Sequence, residues 1–523
     1  MDNNKKVGRA ASAVGSMTLV SRLFGFVRDL VLAMTFGASA SADAFFVAFR
    51  IPNIQRRILG EGAVSAAMIP VYGEYLNTKS EDDTRTFASN LFNIQCAVLV
   101  ITSLAIVVFA PWLIMGFAPG FMDEPDKFEL TVTLTRWMGP YLLLVGMSAY
   151  CMGILNTHGV FKLSAAAPIL VNICMILGAL ILSPYLEQPI VGLAIGVLVG
   201  GVLQFAVQFP TTLRKGLTLS SIFNWKHPGI IKVGKLMGPA ILGFGVYEIN
   251  LLVDTLLASL LAGGSVSYLY YANRMVQLPL GVFGVAIGVA ILPMLTGQAA
   301  RQEIEELRDT LAFGVRLILF ITVPATVGLI LLSFPIVNTL WERGEFLRST
   351  TEGTQLALIY YSIGLCAFAG TKVIVSAFYS FQDTRTPMKI GIYAMLLNVV
   401  LAVILMGPLQ HGGIALATSI AAIFNAGALV FIMKKKLGRM GGRSIVRSLG
   451  QLAVASTLMG LAVYYANAWL FDPQAPLLER LSILLGEIVL GVAIYTGASR
   501  LMNNEELKFI RQLIRERRGS RPA

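Results

Sequence analysis

The chain has 523 residues, of which 56% are hydrophobic and 13% charged, and its formal net charge is +12. A soluble chain of this length divides into several domains with far more surface charge, so the composition excludes a water-soluble globular protein. Apolar runs long enough to cross a bilayer recur from end to end instead. The positive balance therefore gives no reason to expect nucleic acid as a partner, because most of it sits in loops and in the C-terminal tail, where it reports topology.

The N-terminus, MDNNKKVGRAASAVGSMTLV, places Lys5, Lys6 and Arg9 before an apolar run. The run continues past Arg22 with no cleavage site and reads as a retained first span rather than a signal peptide. In chain order the predicted spans are 12–36, 41–60, 86–116, 130–156, 163–184, 188–210, 235–262, 267–297, 311–340, 355–381, 388–407, 412–434, 448–470 and 479–501, fourteen in all. The second is interrupted by Pro52 and by charge in FRIPNIQRRILGEG. Basic clusters precede span one, lie between spans six and seven (Arg214, Lys215, Lys226, Lys232, Lys235) and follow span twelve (Lys434 to Lys436, Arg439, Arg443). The tail KFIRQLIRERRGSRPA is also basic, whereas the alternate loops are acidic (GFMDEPDKFE) or nearly uncharged (GASAS, AGGSVS). The positive-inside rule then puts both termini in the cytoplasm, as an even span count requires.

An internal repeat supports the count. FFVAFRIPN resembles YYANRMVQLP, with Arg50 matching Arg274. Pro70 matches Pro293, Asn156–Thr157 match Asp383–Thr384, Asn172 matches Asn398 and Gly192 matches Gly413, at offsets of 221–227 residues. Six spans per repeat give two halves of one orientation, related by an axis along the membrane normal, as in transporters. The expected fold is an all-α polytopic membrane protein with two parallel six-helix lobes around a central cationic cavity. The expected divisions are an N-lobe over 1–225, a C-lobe over 226–440, two further spans over 441–503 and a basic cytoplasmic tail over 504–523.

Span one contains SRLFGFVRDLVLAM, which carries Arg22, Arg28 and Asp29. A charge at the bilayer centre costs roughly 2.5–3.5 kcal/mol. Helical spacing places Asp29 about 20° from Arg22 and Arg28 about 120° away, with Thr18 and Gly25 between, so the polar residues share one broad stripe. Span two adds Asp43, Arg50, Arg56, Arg57 and Glu61, and span eight adds Arg274 with Asn273 and Gln277 beside it. Arginines outnumber acids in this set, so an anionic ligand is expected, and the forked guanidinium suits phosphate. The plainer alternatives are an Arg22–Asp29 pair and a boundary-marking role for Arg56 and Arg57. Glu248, Asn250 and Asp254 in span seven, with Asp383 and Asn398, offer oxygen ligands for a small cation; the alternative for each is hydrogen bonding between helices. Lys372, Arg316 and Glu487 are intramembrane charges with no assigned role, and Pro279 is a candidate bend close to Arg274. The three histidines, His158, His227 and His411, are scattered, and the four cysteines lie in apolar stretches without metal-like spacing.

Five segments, SRLFGFVRD, ADAFFVAFRIPNIQRRILGEGAVSAAMIPVYGEY, MGPAILG, YYANRMVQLPLGVFGVAIGVAILP and FYSFQDTRTPMKI, resemble the MurJ (MviN) lipid II flippase family. That family shares a superfamily, the multidrug/oligosaccharidyl-lipid/polysaccharide exporters, with drug/cation antiporters and polysaccharide flippases. The resemblance implies a multi-pass protein of the bacterial inner membrane that is not an enzyme. It would move lipid II, an undecaprenyl-pyrophosphate-linked disaccharide-peptide, from the inner to the outer leaflet for peptidoglycan synthesis. It implies cavity arginines at Arg22, Arg28 and Arg274, a basic pair at Arg56 and Arg57 followed by Glu61, an acid at Asp43, and a lipid-tail groove over 448–501. Membrane lipids and the cell-wall synthesis machinery are the implied neighbours. Asn273 and Gln277 stand where some members have acids. Some members also hold sodium between spans seven and eleven; Asp254 and Asp383 match its acidic positions, but Tyr379 stands where an asparagine is expected. No cofactor is expected, and the coupling candidates are a sodium ion or the membrane potential. The rivals are a flippase for another polyprenyl-linked glycan, a cation-coupled drug exporter, which wants an acidic cavity, and a membrane-embedded transferase, for which the short loops hold no acid/base cluster.

Overall fold

The computed structural model describes residues 2–56, 63–438 and 442–519, and within them every regular element is helical. Hydrocarbon offers no partner for a backbone N–H or C=O, so a chain of this composition closes its hydrogen bonds inside helices. Among the described residues, nine helical segments are long and apolar enough to cross a membrane. The chain divides into two compact units, Met1–Ser267 with Arg343–Phe346, and Tyr268–Glu342 with Leu347–Ala523.

The first unit contains α1 (Asp2–Phe36), α2 (Ala40–Gln55), α3 (Ala63–Thr78), α4 (Glu81–Val108), α5 (Ala110–Phe117), α6 (Pro125–Met138), α7 (Tyr141–Thr157), α8 (Phe161–Leu177), α9 (Val191–Arg214) and α10 (Pro228–Ser259). Ser39 caps α2 and Ser80 caps α4, each hydroxyl accepting a backbone N–H of the first turn. α6 and α7 form one segment broken at Gly139–Pro140, where proline withholds a donor. α3 packs against α4, α7 and α10 around Met68, Tyr72, Phe87 and Tyr150. The unit thus takes in α10, which the repeat assigns to the second half.

One contact in this unit positions the site. Gly192, Gly196 and Gly200 recur every fourth residue on α9. A Cβ on Gly196 would stand 2.5 Å from the Cys174 carbonyl oxygen, and one on Gly200 would stand 2.6 Å from Val171 Cα. Small residues at this spacing let two membrane helices meet backbone to backbone. Val171, Cys174 and Gly178 therefore face α9, while Asn172 and Met175 face α1. Residues 343–346 join this unit because Glu345 N donates to Met34 O, at the end of α1, at 2.9 Å.

The second unit is built from α11 (Ser265–Pro279), which opens at the unit boundary, α12 (Val285–Ala300), α13 (Ile304–Leu331), α14 (Ser333–Trp341), α15 (Arg348–Ile363), α16 (Leu365–Ser380), α17 (Arg385–Leu437), α18 (Gly442–Leu470), α19 (Leu477–Leu501) and α20 (Glu505–Gly519). Pro279 ends α11, and a wide turn over Leu280–Gly284 separates it from α12, so the expected interruption near Arg274 is present. α17 is broken at Gln410, where φ is 50° and ψ is −134°. A Cβ on Gly413 would stand 2.2 Å from the Leu405 carbonyl oxygen, so the chain folds back there into two arms. Gly192, its repeat mate, also makes a close approach, with its would-be Cβ 2.8 Å from Gly178 O. One core joins α12, α13, α16 and α17, and a second joins α13, α18, α19 and α20.

Candidate functional site

The charged stripe of α1 is held from α8. Arg28 is 8% exposed and Asp29 only 1%. Arg28 Nε donates to Asp29 Oδ1 at 3.0 Å and Nη2 donates to the same oxygen at 2.5 Å. Arg28 Nη1 donates to Asn172 Oδ1 at 3.1 Å, and the Met175 sulfur lies 4.0 Å from that nitrogen. The guanidinium is thereby fixed on one side by Asp29 of its own helix and on the other by Asn172 of α8, the helix that the glycine stripe of α9 packs against. Asp29 pairs with Arg28 and not with Arg22, the partner that helical angles suggest. A buried carboxylate needs charge-assisted donors, and Arg28 folds back to supply two, while Arg22 stands exposed six residues earlier.

Asp43, at the start of α2, is 1% exposed and its carboxylate meets four donors. Oδ1 accepts from Ser267 N at 2.9 Å and from the Ser267 hydroxyl at 2.6 Å, while Oδ2 accepts from Gly264 N at 2.7 Å. Lys127 Nζ lies 3.3 Å from Oδ2, with both side chains buried, and it also faces Glu124 at 3.5 Å and the Phe121 ring at 4.2 Å. Asp43 thus satisfies the first backbone donors of α11 and neutralises a buried lysine.

Further along α2, Arg50 Nη1 donates to the Leu251 carbonyl of α10 at 3.0 Å, and Arg56 Nε donates to Asn53 Oδ1 at 3.2 Å. Arg57 and Glu61 lie outside the described residues. In the second unit, Arg274 Nη2 donates to the Tyr270 hydroxyl at 3.2 Å, and its guanidinium carbon lies 5.3 Å from the centre of the same ring. Asn273 is half-buried and Gln277, one turn on, is exposed.

The candidate cation ligands are divided between the two units. Asp254 is buried on α10 in the first unit. Asp383 precedes α17, where it accepts from Thr386 N at 3.1 Å and the Thr386 hydroxyl at 2.9 Å, and Lys436 Nζ reaches it at 3.4 Å. Burial works to raise the Asp383 carboxyl, but these donors outweigh it and hold the group below its ordinary value of 3.8. Asn398 is fifteen positions further on, about 20 Å at ~1.5 Å per helical residue, so Asp383 and Asn398 cannot share one ion. Among the described residues, no three His, Cys, Asp or Glu side chains form a metal-binding group.

Two of the unassigned charges have partners. Arg316 on α13 pairs with Glu505 at 2.8 Å and Glu506 at 3.2 Å. Glu487 on α19 accepts from Asn467 Nδ2 at 3.1 and 3.3 Å, tying α19 to α18. Lys372 on α16 is exposed, and all four cysteines are free thiols.

The family model described as lipid II flippase MurJ matches residues 32–474. A Vibrio cholerae protein named probable lipid II flippase MurJ is 38% identical over 511 residues, covering 95% of this chain and 97% of that one. The chain belongs to the lipid II flippase MurJ family. A solved structure of lipid II flippase MurJ in an inward closed conformation superposes with a TM-score of 0.80 at 27% identity, covering 96% of this chain and 99% of the other. An inward-facing multidrug resistance MATE family transporter of the MOP superfamily has a TM-score of 0.67 at 15% identity and shares the fold alone.

For this MurJ-family chain, the sequence pattern located the charged stripe but not what holds it. Lys127 sits in a stretch whose acids dominate, and nothing in its spacing marks it as buried. Asn172 stood out as a repeat position, yet its bond to Arg28 spans 144 residues. Asn467 gave no signal beyond being a polar residue in an apolar run.

Proposed function

We propose that this chain moves lipid II from the inner to the outer leaflet of the bacterial cytoplasmic membrane, with its pyrophosphate bound by Arg22, Arg28 and Arg274. The observation that carries the reading is the end-to-end likeness to proteins named lipid II flippases. The local geometry supports a phosphate role for Arg28, because its guanidinium is held in a fixed orientation and is already engaged with a carboxylate, the anion nearest in shape.

The mechanism we infer is alternating access by two six-helix lobes about a cationic cavity, in a chain of fourteen spans with both termini cytoplasmic. The division of α17 at Gln410 and the running together of α6 with α7, α11 with α12 and α15 with α16 into single segments support that count. Residues 448–501 would receive the polyprenyl tail. When the pyrophosphate arrives, it neutralises the arginines and lowers the cost of closing the cavity toward the cytoplasm. The lobes then rock and the head group leaves on the other side while the tail stays in lipid. Membrane potential supplies the drive at ~2.3 kcal/mol per charge per 100 mV; sodium is the lesser candidate because Asp383 and Asn398 lie far apart along one segment. No covalent chemistry is assigned to the chain.

The test is leaflet accessibility. After depletion of this protein, labelling of lipid II by a membrane-impermeant reagent from the periplasmic side should fall while total lipid II rises. Unchanged labelling would overturn the reading.

A further inference from the structure

The tail helix α20 carries charges to which the proposed function assigns no role. Asn503, at φ 58°, turns the chain after α19, so α20 packs back against the second unit instead of continuing outward. Asn504 caps the new helix, its Oδ1 accepting from Glu506 N at 3.1 Å and Leu507 N at 3.2 Å. Gln451 of α18 grips the turn through Met502 O at 3.0 Å and Asn504 at 3.3 Å. Arg316 neutralises Glu505 and Glu506, and Leu507 is buried against the α13–α18–α19 core. Phe509 meets Phe313 edge-on, with ring centroids 4.8 Å apart.

With Glu505 and Glu506 paired to Arg316 and Leu507 and Ile510 packed on the core, α20 presents a basic face. Lys508, Arg511 and Arg515 stand at i, i+3 and i+7, one stripe of a helix, and all three are exposed. Arg447, one turn before Gln451 on α18, and Arg500, in the last turn of α19, are exposed basic residues flanking the same turn. A fixed amphipathic helix with cations at helical spacing, next to the ends of membrane helices, has the charge pattern of a surface that binds anionic headgroups.

We propose that the face of α20 carrying Lys508, Arg511 and Arg515 is a binding surface for anionic phospholipid headgroups of the leaflet at that end of the bundle. The charge of the face selects lipids with a net negative headgroup over zwitterionic ones. The anchoring through Arg316 and Asn504 keeps the cations presented whether or not substrate is bound. The surface tethers the end of spans thirteen and fourteen to the headgroup layer.

The test uses the purified full-length protein in neutral detergent, titrated with water-soluble dihexanoyl-phosphatidylglycerol and, in parallel, dihexanoyl-phosphatidylcholine. The variant is Lys508→Gln with Arg511→Gln and Arg515→Gln, all exposed positions that leave the core and the Arg316 pairs intact. Phosphatidylglycerol should bind the variant at least tenfold more weakly than wild type, and raising the salt should weaken wild-type binding in the same direction. Phosphatidylcholine binding should be equal in the two proteins. Equal phosphatidylglycerol affinity in the variant overturns the proposal, as does loss of association with an acidic cytoplasmic protein while lipid affinity stays unchanged. A second variant, Arg316→Ala, separates presentation from charge: it should weaken phosphatidylglycerol binding although every cation of the face remains, and full affinity would contradict the anchoring.

Discussion

Removing the Asp43 carboxylate tests the buried charge cluster directly. In Asp43→Ala, Lys127 keeps its charge in a site where its side chain is 4% exposed, and loses the carboxylate 3.3 Å away. Breaking one side of a buried pair costs about 3–5 kcal/mol. Glu124 at 3.5 Å and the Phe121 ring at 4.2 Å soften that loss and place the effect toward the lower end. The backbone donors of Gly264 and Ser267 lose their acceptor as well, which adds roughly 1 kcal/mol, the usual value of a helix cap. The expected total is about 4 kcal/mol, or a fall in unfolding midpoint of roughly 8–16 °C at ~2–4 °C per kcal/mol. The assay is thermal unfolding in detergent, followed by intrinsic fluorescence. The double variant Asp43→Ala with Lys127→Met removes both charges and should recover most of the loss, leaving about 1 kcal/mol for the missing cap. A fall of only a degree or two in Asp43→Ala, or a double variant no better than the single one, would refute the cluster as described.

Gly196→Val drives a side chain into the Cys174 carbonyl, where even a Cβ would stand at 2.5 Å, so α8 and α9 must part. We expect a loss of at least 1–3 kcal/mol, roughly the cost of overpacking, read by the same unfolding assay, with transport impaired through displacement of Asn172. His227 caps α10, its Nδ1 accepting from Gly229 N at 3.2 Å, and burial, opposed by Asp83, holds its pKa below the ordinary 6.5. A folded pKa below the unfolded one means that this contribution is fully present above pH 6.5 and is lost as pH falls toward the folded value; the acid-side fall in unfolding midpoint should be smaller in His227→Asn, which caps without titrating near neutrality. Glu487→Leu removes the acceptor of the Asn467 amide inside the α18–α19 pair and should cost about 1–3 kcal/mol, whereas Glu487→Gln keeps an acceptor and should cost less, by the same measurement.

The all-helical, membrane-length character of the chain was legible because apolar length is a local property. The repeat added the match of Arg50 with Arg274 and of Gly192 with Gly413, and the latter two proved to be close backbone approaches in their own units. What the sequence concealed was the pairing of charges. Arg28 and Asp29 point about 100° apart on an ideal helix, so their ion pair depends on side-chain rotamers and on Asn172 from another helix. Arg316 had no assigned role in the sequence, because its partners lie 189 residues away or further, in the tail. Asp383 and Asn398 looked like two ligands of one cation because sequence carries no axial distance until the helix is drawn.

The central claim is that the arginines hold the lipid-linked pyrophosphate. Wild-type protein and the variants Arg28→Ala and Arg274→Ala, reconstituted in vesicles with labelled lipid II, can be compared by the fraction of label reaching the opposite leaflet. The account predicts transport by the wild type and loss of at least tenfold in each variant, with insertion retained in both and the unfolding midpoint close to wild type in Arg274→Ala. Arg28→Ala, which strips buried Asp29 of both guanidinium bonds, should unfold lower, and Arg28→Ala with Asp29→Ala should recover stability but not transport. Transport at the wild-type rate in both variants would contradict it.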